Sequence, residues 1–491
     1  MKSFRVEQIA HAVGGRIIKR GYPDPDVLIE GVSTDTRTIR RGDIFIPLIG
    51  EKFDGHDFLQ EAADKGAVAV MTQKLNIPLP DDLHTIAVDN TLKALQVLAE
   101  KYLRSFRVPV VAVTGSTGKT TTKEMISYVL RQGYLVHKTE GNYNNEIGLP
   151  LTILNMEPYH SMAVFEMGMS GFGEIRRLAE IAPPDAVVFT NIGVSHLEKL
   201  GSRENIWRAK SEILENLDYK CVVFLNEDDD ILRREGKRMI EKKVPYKVVR
   251  YGTTGEPDYL AENIRVEENG VRYTLRIDGQ SHIITLNIPG RHNVLNSLAA
   301  IAVGRHFGIG MEGIKRGLSN IKGGNMRLDI FNVHYYSESD FAKLPPDFKS
   351  GKFDERIKVI DDAYNASPDS VKAALDVLRD MEGRRKVAIL GDMLELGEDY
   401  SKEAHKEIGG YAVEAGVHVL IAVGNYSACV KEGALEKGMD ERMVLTENSN
   451  KDVLSWLDEN IMPGDRILVK GSRGMHMEEI VEYLRQGRMF F

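Results

Sequence analysis

One short stretch, residues 110–122, places the strongest constraint on how this chain can fold. It reads VVAVTGSTGKTTT, an apolar run followed by a glycine-containing turn and a polar helix start. Gly115 and Gly118 let the backbone approach an anion without an intervening side chain. The amide groups at a helix start point towards such an anion, and the helix dipole favours it. The stretch therefore predicts a strand, a phosphate-binding loop and a helix.

The loop is shorter than the common phosphate-loop pattern, which would place glycine at position 113, where the chain has Val113. A glycine turn with an incidental lysine is the alternative interpretation. In the phosphate-loop interpretation, Lys119 meets the terminal phosphates and the Thr120 hydroxyl holds a magnesium ion. ATP and Mg²⁺ are the predicted cofactors, and the predicted nucleotide-binding residues of the loop are Gly115, Ser116, Thr117, Gly118, Lys119, Thr120 and Thr121.

Composition narrows the class of protein. A chain of 491 residues is too long for one core, so we expect about three domains. The net charge is −8 and no long basic stripe occurs, so we expect no nucleic-acid partner. The two cysteines, Cys221 and Cys429, lack the spacing of a disulfide framework or a zinc site. No apolar run is long enough to span a bilayer, so we expect a cytoplasmic protein.

Hydrophobic patterning divides the chain into three parts. The runs 162–165, 186–190 and 221–225 are apolar throughout, which is typical of a parallel sheet buried on both faces. Residues 259–288 alternate instead, which predicts antiparallel strands at the edge of that sheet. The fold class is therefore α/β with three domains: a small mixed α/β domain (1–106), a central ATPase-type parallel-sheet domain (107–331) and a Rossmann-like domain (332–491).

Shorter patterns support the outer domains. In the first domain, residues 42–48 and 66–70 read as strands, and 92–103 as a helix. In the third domain, the apolar runs 386–391, 417–424 and 466–471 read as buried strands. Helical patterns lie between them, at 370–381, 402–415 and 452–460.

Two polar residues follow the buried strands of the central domain. Glu166 comes directly after the run 162–165, where a magnesium ligand beside the phosphate loop is expected. His196 follows the next strand and is a candidate metal ligand. The alternatives are a glutamate and a histidine that face solvent.

Lys210 falls within the apolar stripe of the helical pattern at 206–217. Burial would lower the pKa of its ammonium group and leave a neutral amine. Such an amine can add carbon dioxide, and the resulting carbamate can hold magnesium. The alternative is a lysine whose side chain extends along the helix into solvent.

Several motifs together resemble the Mur ligase family, ATP-dependent ligases of peptidoglycan precursor assembly. They are TGSTGKTT at 114–121, EMG at 166–168, His196 and AKSE at 209–212. GNYNNEIG at 141–148, LGDMLELG at 390–397 and VKGSRGM at 469–475 are similar to the members that join D-alanyl-D-alanine to UDP-N-acetylmuramoyl-tripeptide. The resemblance implies that these two molecules are the substrates and that an acyl phosphate is formed. We expect a monomer, although the sequence itself does not indicate the oligomeric state.

The resemblance also implies roles for individual residues. The catalytic set would be Lys119, Glu166, His196 and a carbamylated Lys210, and the metal ligands Thr120, Glu166, His196 and Lys210. Further nucleotide contacts would be His292, Asn293, Asn296, Arg327, Asp362, Tyr364 and Asn365. Substrate contacts would be Thr34, Asp35, Arg37, Asp54, Gly55 and His56 for the UDP end, Asn142, Asn144 and Asn145, and, as candidates for the dipeptide carboxylate, Lys470, Ser472 and Arg473.

Some features depart from the family pattern. Ala363 stands where serine is expected, and Ser367 where asparagine is expected. Residues 335–356 resemble an insertion, longer than a usual connection and predicted to be an exposed loop or hairpin. Two rival functions stay open: another ligase on the same scaffold, and a binding module that hydrolyses ATP only as a switch.

Overall fold

The computed structural model describes residues 1–21, 27–268, 270–321, 328–333 and 356–487. Within these ranges the chain forms three α/β domains, each built around its own main sheet. The predicted insertion at 335–356 lies outside the described residues, except for its last position. No helix in the described part of the chain is long and apolar enough to cross a membrane.

The first domain has a five-stranded sheet in the order β2-β7-β6-β5-β4, and a separate pair, β1 with β3. Strands β4 to β7 are parallel, and β2 is antiparallel to β7. The predicted strand at 42–48 is shorter than expected, because Pro47 lacks the amide that a strand would use. The elements are β1 (Phe4–Arg5), α1 (Val6–Val13), β2 (Arg16–Lys19), β3 (Leu28–Ile29), β4 (Gly31–Ser33), β5 (Asp43–Phe45), α2 (Leu59–Asp64), β6 (Ala69–Thr72), β7 (His84–Ala87) and α3 (Thr91–Phe106).

The central domain has nine strands in the order β16-β15-β14-β13-β12-β11-β8-β10-β9. Along the sheet from β9 at one edge to β14, every adjacent pair of strands is parallel. The pairs β14 with β15 and β15 with β16 are antiparallel, as predicted. The elements are β8 (Val110–Thr114), α4 (Lys119–Leu130), β9 (Val136–Lys138), α5 (Gly148–Leu154), β10 (Met162–Glu166), α6 (Glu174–Ile181), β11 (Ala186–Phe189), α7 (Leu197–Leu200), α8 (Arg203–Ser211), β12 (Val222–Asn226), α9 (Asp230–Glu241), β13 (Lys247–Gly252), β14 (Tyr259–Glu267), β15 (Gly270–Ile277), β16 (Gln280–Leu286), α10 (His292–His306) and α11 (Met311–Ser319).

In its described residues the third domain has six strands in the order β17-β18-β22-β19-β20-β21; β17 is antiparallel to β18, and the other adjacent pairs are parallel. Strand β17 spans the predicted boundary at residue 331 and pairs with this sheet. The elements are β17 (Asp329–Val333), β18 (Ile357–Asp362), α12 (Pro368–Asp380), β19 (Arg385–Gly391), α13 (Glu398–Glu414), β20 (Val419–Val423), α14 (Ser427–Glu436), β21 (Val444–Glu447), α15 (Asn450–Asn460), β22 (Asp465–Lys470) and α16 (Glu478–Gln486).

Strand order decides which side chains can meet. Strand β8 carries the glycine loop and lies between β10 and β11. Because parallel strands end at one edge of the sheet, the residues that follow β10 and β11 lie beside that loop. These are Glu166, the last residue of β10, and the segment 190–196 after β11.

The domains contact each other through polar side chains. The buried Tyr102 hydroxyl on α3 donates to the carbonyl oxygen of Met156 in the central domain at 2.7 Å, and accepts from the amide of Lys2 at 2.9 Å. Lys358 of the third domain pairs with Glu268 of the central domain at 2.5 Å. Both outer domains are therefore attached to the central one.

Candidate active site

The predicted strand, loop and helix are present between β8 and α4. Gly115 has φ +146°, and a Cβ there would lie 1.9 Å from the Thr190 hydroxyl oxygen. Gly118 precedes α4 with φ +76°, and a Cβ there would lie 2.9 Å from Oδ1 of Asn296. Both positions therefore require glycine, which supports the interpretation as an anion-binding loop.

The segment after β11 holds the loop in place. Asn191 accepts from the amide of Thr117 at 2.8 Å and donates to its hydroxyl at 2.5 Å. Thr190 donates to the carbonyl oxygen of Thr117 at 2.6 Å, and the Gly193 amide donates to the Ser116 hydroxyl at 2.9 Å. Sequence reasoning missed Asn191, although its position directly after a strand next to β8 was a usable signal.

Lys119 folds back over this loop. Its Nζ donates to the carbonyl oxygens of Gly115 at 2.9 Å and Ser116 at 3.1 Å. The ammonium group is therefore held at the loop, where the oxygens of a bound phosphate would meet it.

A second polar group lies at the end of β10, next to α4. The Glu166 side chain is only 2 % exposed; its Oε2 accepts from the Thr120 hydroxyl and its Oε1 from the Asn144 side-chain amide, both at 2.7 Å. Lys123 forms a long ion pair with this carboxylate, its Nζ lying 4.0 Å from Oε2. Carboxylate and hydroxyl oxygens are the ligands that Mg²⁺ prefers, and Mg²⁺ takes its others from phosphates and water. The residues therefore fit a magnesium ion.

Two further observations concern the groups that could hold a magnesium ion beside Glu166. Asn144, predicted to contact substrate, donates to the carboxylate of Glu166. No cluster of three or more His, Cys, Asp or Glu side chains able to hold a metal occurs in the described residues. A metal ion here would therefore depend on hydroxyl, phosphate or modified-lysine oxygens as well.

Lys210 is buried on α8, with 1 % of its surface exposed. Burial lowers the pKa of its ammonium group well below the usual value, and the positive charge of Lys119 lowers it further. The alternative of a lysine extending into solvent is therefore wrong. A buried amine with a lowered pKa, next to the charge of Lys119, is the kind of group that carbamate formation requires.

His196 contacts the third domain. Its Nδ1 lies 2.8 Å from Oε2 of Glu395, and both residues have the left-handed backbone, with φ +63° and +68°. The hydrogen bond with His196 is the main cause that lowers the pKa of the Glu395 carboxyl. Glu395 was not among the predicted site residues, although the LGDMLELG motif contains it.

The start of α10 packs against α4. Asn296 accepts from the Thr122 hydroxyl at 3.0 Å and donates to Oδ1 of Asn293 at 3.0 Å. Asn293 in turn donates to the carbonyl oxygen of Pro289 at 2.7 Å. Burial lowers the pKa of His292 to about 4, and the charge of Lys470 contributes. Asn296 therefore contacts the loop helix, Asn293 contacts Asn296, and His292 lies close to Lys470 of the third domain.

The candidates for the dipeptide carboxylate have partners within the third domain. Lys470, only 2 % exposed, donates to Asp362 at 2.5 Å and to the carbonyl oxygen of Asn365 at 2.9 Å. The buried Ser472 hydroxyl accepts from the amide of Leu394 at 2.8 Å. Arg473 is exposed and pairs with a glutamate of its own domain. Tyr364 is partly buried, and Arg327 lies outside the described residues.

The predicted UDP-binding residues form two capped turns. Asp35 caps the turn at Thr36–Thr38 and pairs with Arg37, and the neighbouring Thr34 is partly buried. Asp54 caps the turn at Gly55–Phe58 and lies 2.6 Å from Nδ1 of the buried His56. Burial alone would raise the pKa of Asp54, but hydrogen bonds from Lys74 and His56 lower it overall. These contacts all lie inside the first domain.

Two other predicted substrate residues lie near α5. Asn145 accepts from the amides of Ile147 at 3.2 Å and Gly148 at 2.8 Å, so its side chain caps the start of that helix. Asn142 is exposed, and its carbonyl oxygen accepts from the amide of Asn144 at 2.7 Å. Asn144 is thus the member of this group that reaches the phosphate-loop side.

Three family models match the chain. They are described as Mur ligase family, catalytic domain (residues 28–103), Mur ligase middle domain (113–304) and Mur ligase, glutamate ligase domain (348–473). The UDP-N-acetylmuramoyl-tripeptide–D-alanyl-D-alanine ligase of Bacillus subtilis is 41% identical over 481 residues, 98% of each chain. The ligase of the same name from Escherichia coli is 34% identical over 467 residues, which cover 94% of this chain and 95% of that one.

Solved structures are also similar to this chain over most of its length. A MurF structure from Acinetobacter baumannii superimposes with a TM-score of 0.84 at 28% identity, covering 99% of each chain. A MurF ligase from Thermotoga maritima in complex with ADP gives 0.78 at 28% identity, covering 94% of this chain and 98% of that one. The predicted three-domain α/β fold and the predicted resemblance are both confirmed, and the chain belongs to the Mur ligase family.

Proposed function

We propose that the chain is an ATP-dependent amide ligase that joins D-alanyl-D-alanine to UDP-N-acetylmuramoyl-tripeptide. The observation that carries this proposal is the meeting of the glycine loop, Glu166 and the buried Lys210 beside a third domain that reaches His196. The named relatives carry out this joining, and they cover nearly the whole chain. The product is the UDP-N-acetylmuramoyl-pentapeptide, with release of ADP and phosphate.

Two chemical steps follow from the substrates. A carboxylate oxygen of the tripeptide attacks the γ-phosphorus of ATP, so an O–P bond forms and the bond to ADP breaks. The amine of D-alanyl-D-alanine then attacks the acyl carbon, a C–N bond forms, and phosphate leaves as the amine loses a proton. The first step makes a poor electrophile reactive.

The residues of the loop would act on the charge of the transferring group. Lys119 and the amides at the start of α4 would stabilise the negative charge that develops on the phosphoryl oxygens. Asn191 would keep the loop in its binding shape, because it holds both polar groups of Thr117. Docking of the third domain would exclude water, which otherwise hydrolyses an acyl phosphate.

Magnesium, when bound, would neutralise charge on the phosphate oxygens. Thr120 and Glu166 would hold one ion, and His196 with a carbamylated Lys210 a second. The neutral amine of Lys210 would form an N–C bond to carbon dioxide and release a proton, and the product is an anion. The buried Glu166 carboxylate supports the first position, since it already accepts from the Thr120 hydroxyl at 2.7 Å.

ADP release tests the proposal. The assay contains ATP, Mg²⁺ and UDP-N-acetylmuramoyl-tripeptide, with and without D-alanyl-D-alanine, and uses tripeptides ending in lysine and in diaminopimelate. Release that requires both substrates is the expected result. Release without the dipeptide would favour the switch ATPase, and no release with either tripeptide would favour another ligase, tested with single amino acids.

The proposal includes a monomer in the cytoplasm. Both cysteines are unpaired in the structure, which is consistent with a reducing compartment. Size-exclusion chromatography with light scattering tests the monomer, for which the expected mass is 55.0 kDa.

A further inference from the structure

Glu395 reaches the central domain from a well-anchored loop of the third domain. The loop between β19 and α13 is held by three contacts. His405 accepts from the amide of Met393 at 2.9 Å, Ser472 accepts from the amide of Leu394 at 2.8 Å, and Asp392 accepts from the amide of Asn425 at 2.8 Å. Glu395 is therefore presented by a fixed backbone rather than by a loose surface loop.

The receiving side is equally well defined. His196 lies between β11 and α7, and the amide of Glu198, two residues later, donates to the carbonyl oxygen of Glu395 at 3.4 Å. Both His196 and Glu395 adopt the left-handed backbone, which residues other than glycine rarely adopt and which persists only where the surroundings fix it. Two unusual backbone conformations thus face each other across the domain boundary.

The contact has a chemical consequence for the imidazole. Nδ1 lies 2.8 Å from the carboxylate of Glu395, so the proton of a neutral His196 belongs on Nδ1. The lone pair of the neutral ring is then on Nε2. Histidines that bind metals usually donate their other ring N–H to a carboxylate or carbonyl, which fixes the ring and its tautomer.

We propose that Glu395 is a positioning residue that the third domain supplies to the metal position at His196. Its carboxylate orients the imidazole and leaves Nε2 as the metal-binding atom. Binding of the second metal ion is thereby coupled to docking of the third domain. The inference rests on the proposed function, because it assigns a metal ion to His196.

Metal binding itself, rather than turnover, tests this role. Mn²⁺ is titrated into the full chain with a non-hydrolysable ATP analogue, and free Mn²⁺ is measured by electron paramagnetic resonance. Glu395→Ala is expected to weaken the second Mn²⁺ site by roughly 10–100-fold, the usual effect of removing such a partner. Glu395→Gln is expected to bind the second Mn²⁺ ion with an affinity close to that of the unaltered chain, because the glutamine amide oxygen still accepts from Nδ1. Glu398→Ala, an exposed glutamate at the start of α13, is the matched control.

A double-mutant cycle separates this role from a direct one. If Glu395 acts through His196, Glu395→Ala adds little to the loss caused by His196→Ala. Unchanged Mn²⁺ binding in Glu395→Ala, or equal losses in the Ala and Gln variants, would overturn the inference. Thermal unfolding of each variant identifies a folding defect. Failure of the proposed function is distinguishable, since it would appear as absent ADP release in the unaltered chain.

Discussion

Replacing Lys210 by methionine is expected to stabilise the metal-free protein while abolishing ligation. The side chain is buried, so its ammonium group is costly in the fold, and methionine has a similar length without a charge. Activity would be lost because no amine remains to form the carbamate. Stability and activity would therefore change in opposite directions.

The pH dependence supplies the magnitude. In the unfolded chain the lysine keeps its ordinary pKa near 10.5, whereas burial lowers the pKa in the fold. Between the lowered pKa and 10.5, the unfolded chain binds one more proton than the fold, so the stability of the unaltered protein rises with pH. The limiting slope for one proton is about 1.4 kcal/mol per pH unit. The advantage of Lys210→Met should shrink at up to that rate as pH rises towards 10.5.

Urea unfolding in the presence of EDTA and without carbon dioxide measures this difference. The chain has two tryptophans, and Trp207 lies on α8 with Lys210. A Trp456→Phe background therefore leaves a fluorescence signal from the helix of interest. Lys237→Met, an exposed lysine on α9, is the control and should show no such slope.

A stability difference independent of pH would refute the reasoning, since Lys210 would then bind its proton equally in both states. Added bicarbonate supplies a second check. It should stabilise the unaltered chain and leave Lys210→Met unchanged, because only the lysine forms a carbamate. Equal effects of bicarbonate on both proteins would count against the carbamate. Short carboxylic acids should partly restore the activity of Lys210→Ala.

Three further outcomes are expected. Lys119→Ala should abolish ADP release in a folded protein, since its charge meets the transferring phosphate; the exposed Lys199→Ala is the control, and unchanged turnover would remove Lys119 from the mechanism. Glu166→Gln should raise the Mg²⁺ concentration required for half-maximal activity, and an unaltered requirement would show that the carboxylate is not a ligand. Tyr102→Phe should lower the free energy of unfolding by about 1–3 kcal/mol, because the carbonyl oxygen of Met156 loses its buried donor. Urea unfolding measures this difference, and an unchanged free energy of unfolding would contradict the prediction. The activity of the variant should equal that of the unaltered chain.

Local sequence patterns predicted the elements well where burial is uniform. The continuous apolar runs of β10, β11 and β12 have no alternation because both faces of their sheet are covered. The alternation at 259–288 correctly predicted β14 to β16, which form the antiparallel end of the sheet. Helix α13 begins at Glu398, four residues before its predicted start. The polar residues of its first turn do not contribute to the periodic apolar pattern from which the helix was predicted.

Contacts between distant segments could not be predicted in the same way. Nothing around Glu395 in the sequence indicates that it meets His196, because the contact depends on how two separately folded sheets dock. Lys470 looked available for a substrate carboxylate, yet it is buried against Asp362, which lies on the adjacent strand. Residue type indicated the chemistry of these groups, and only the tertiary packing identified their partners.

The position of Lys119 has a consequence for how tightly a nucleotide is held. A flexible lysine at the surface loses rotamer freedom when it grips a ligand, and that loss weakens binding. Here the side chain is already ordered by two carbonyl oxygens of its own loop. The entropy of ordering has thus been lost during folding, so a phosphate that takes over these hydrogen bonds meets a preorganised cation. A mutation that loosens the loop carbonyls would then weaken nucleotide binding without touching any atom that contacts the nucleotide.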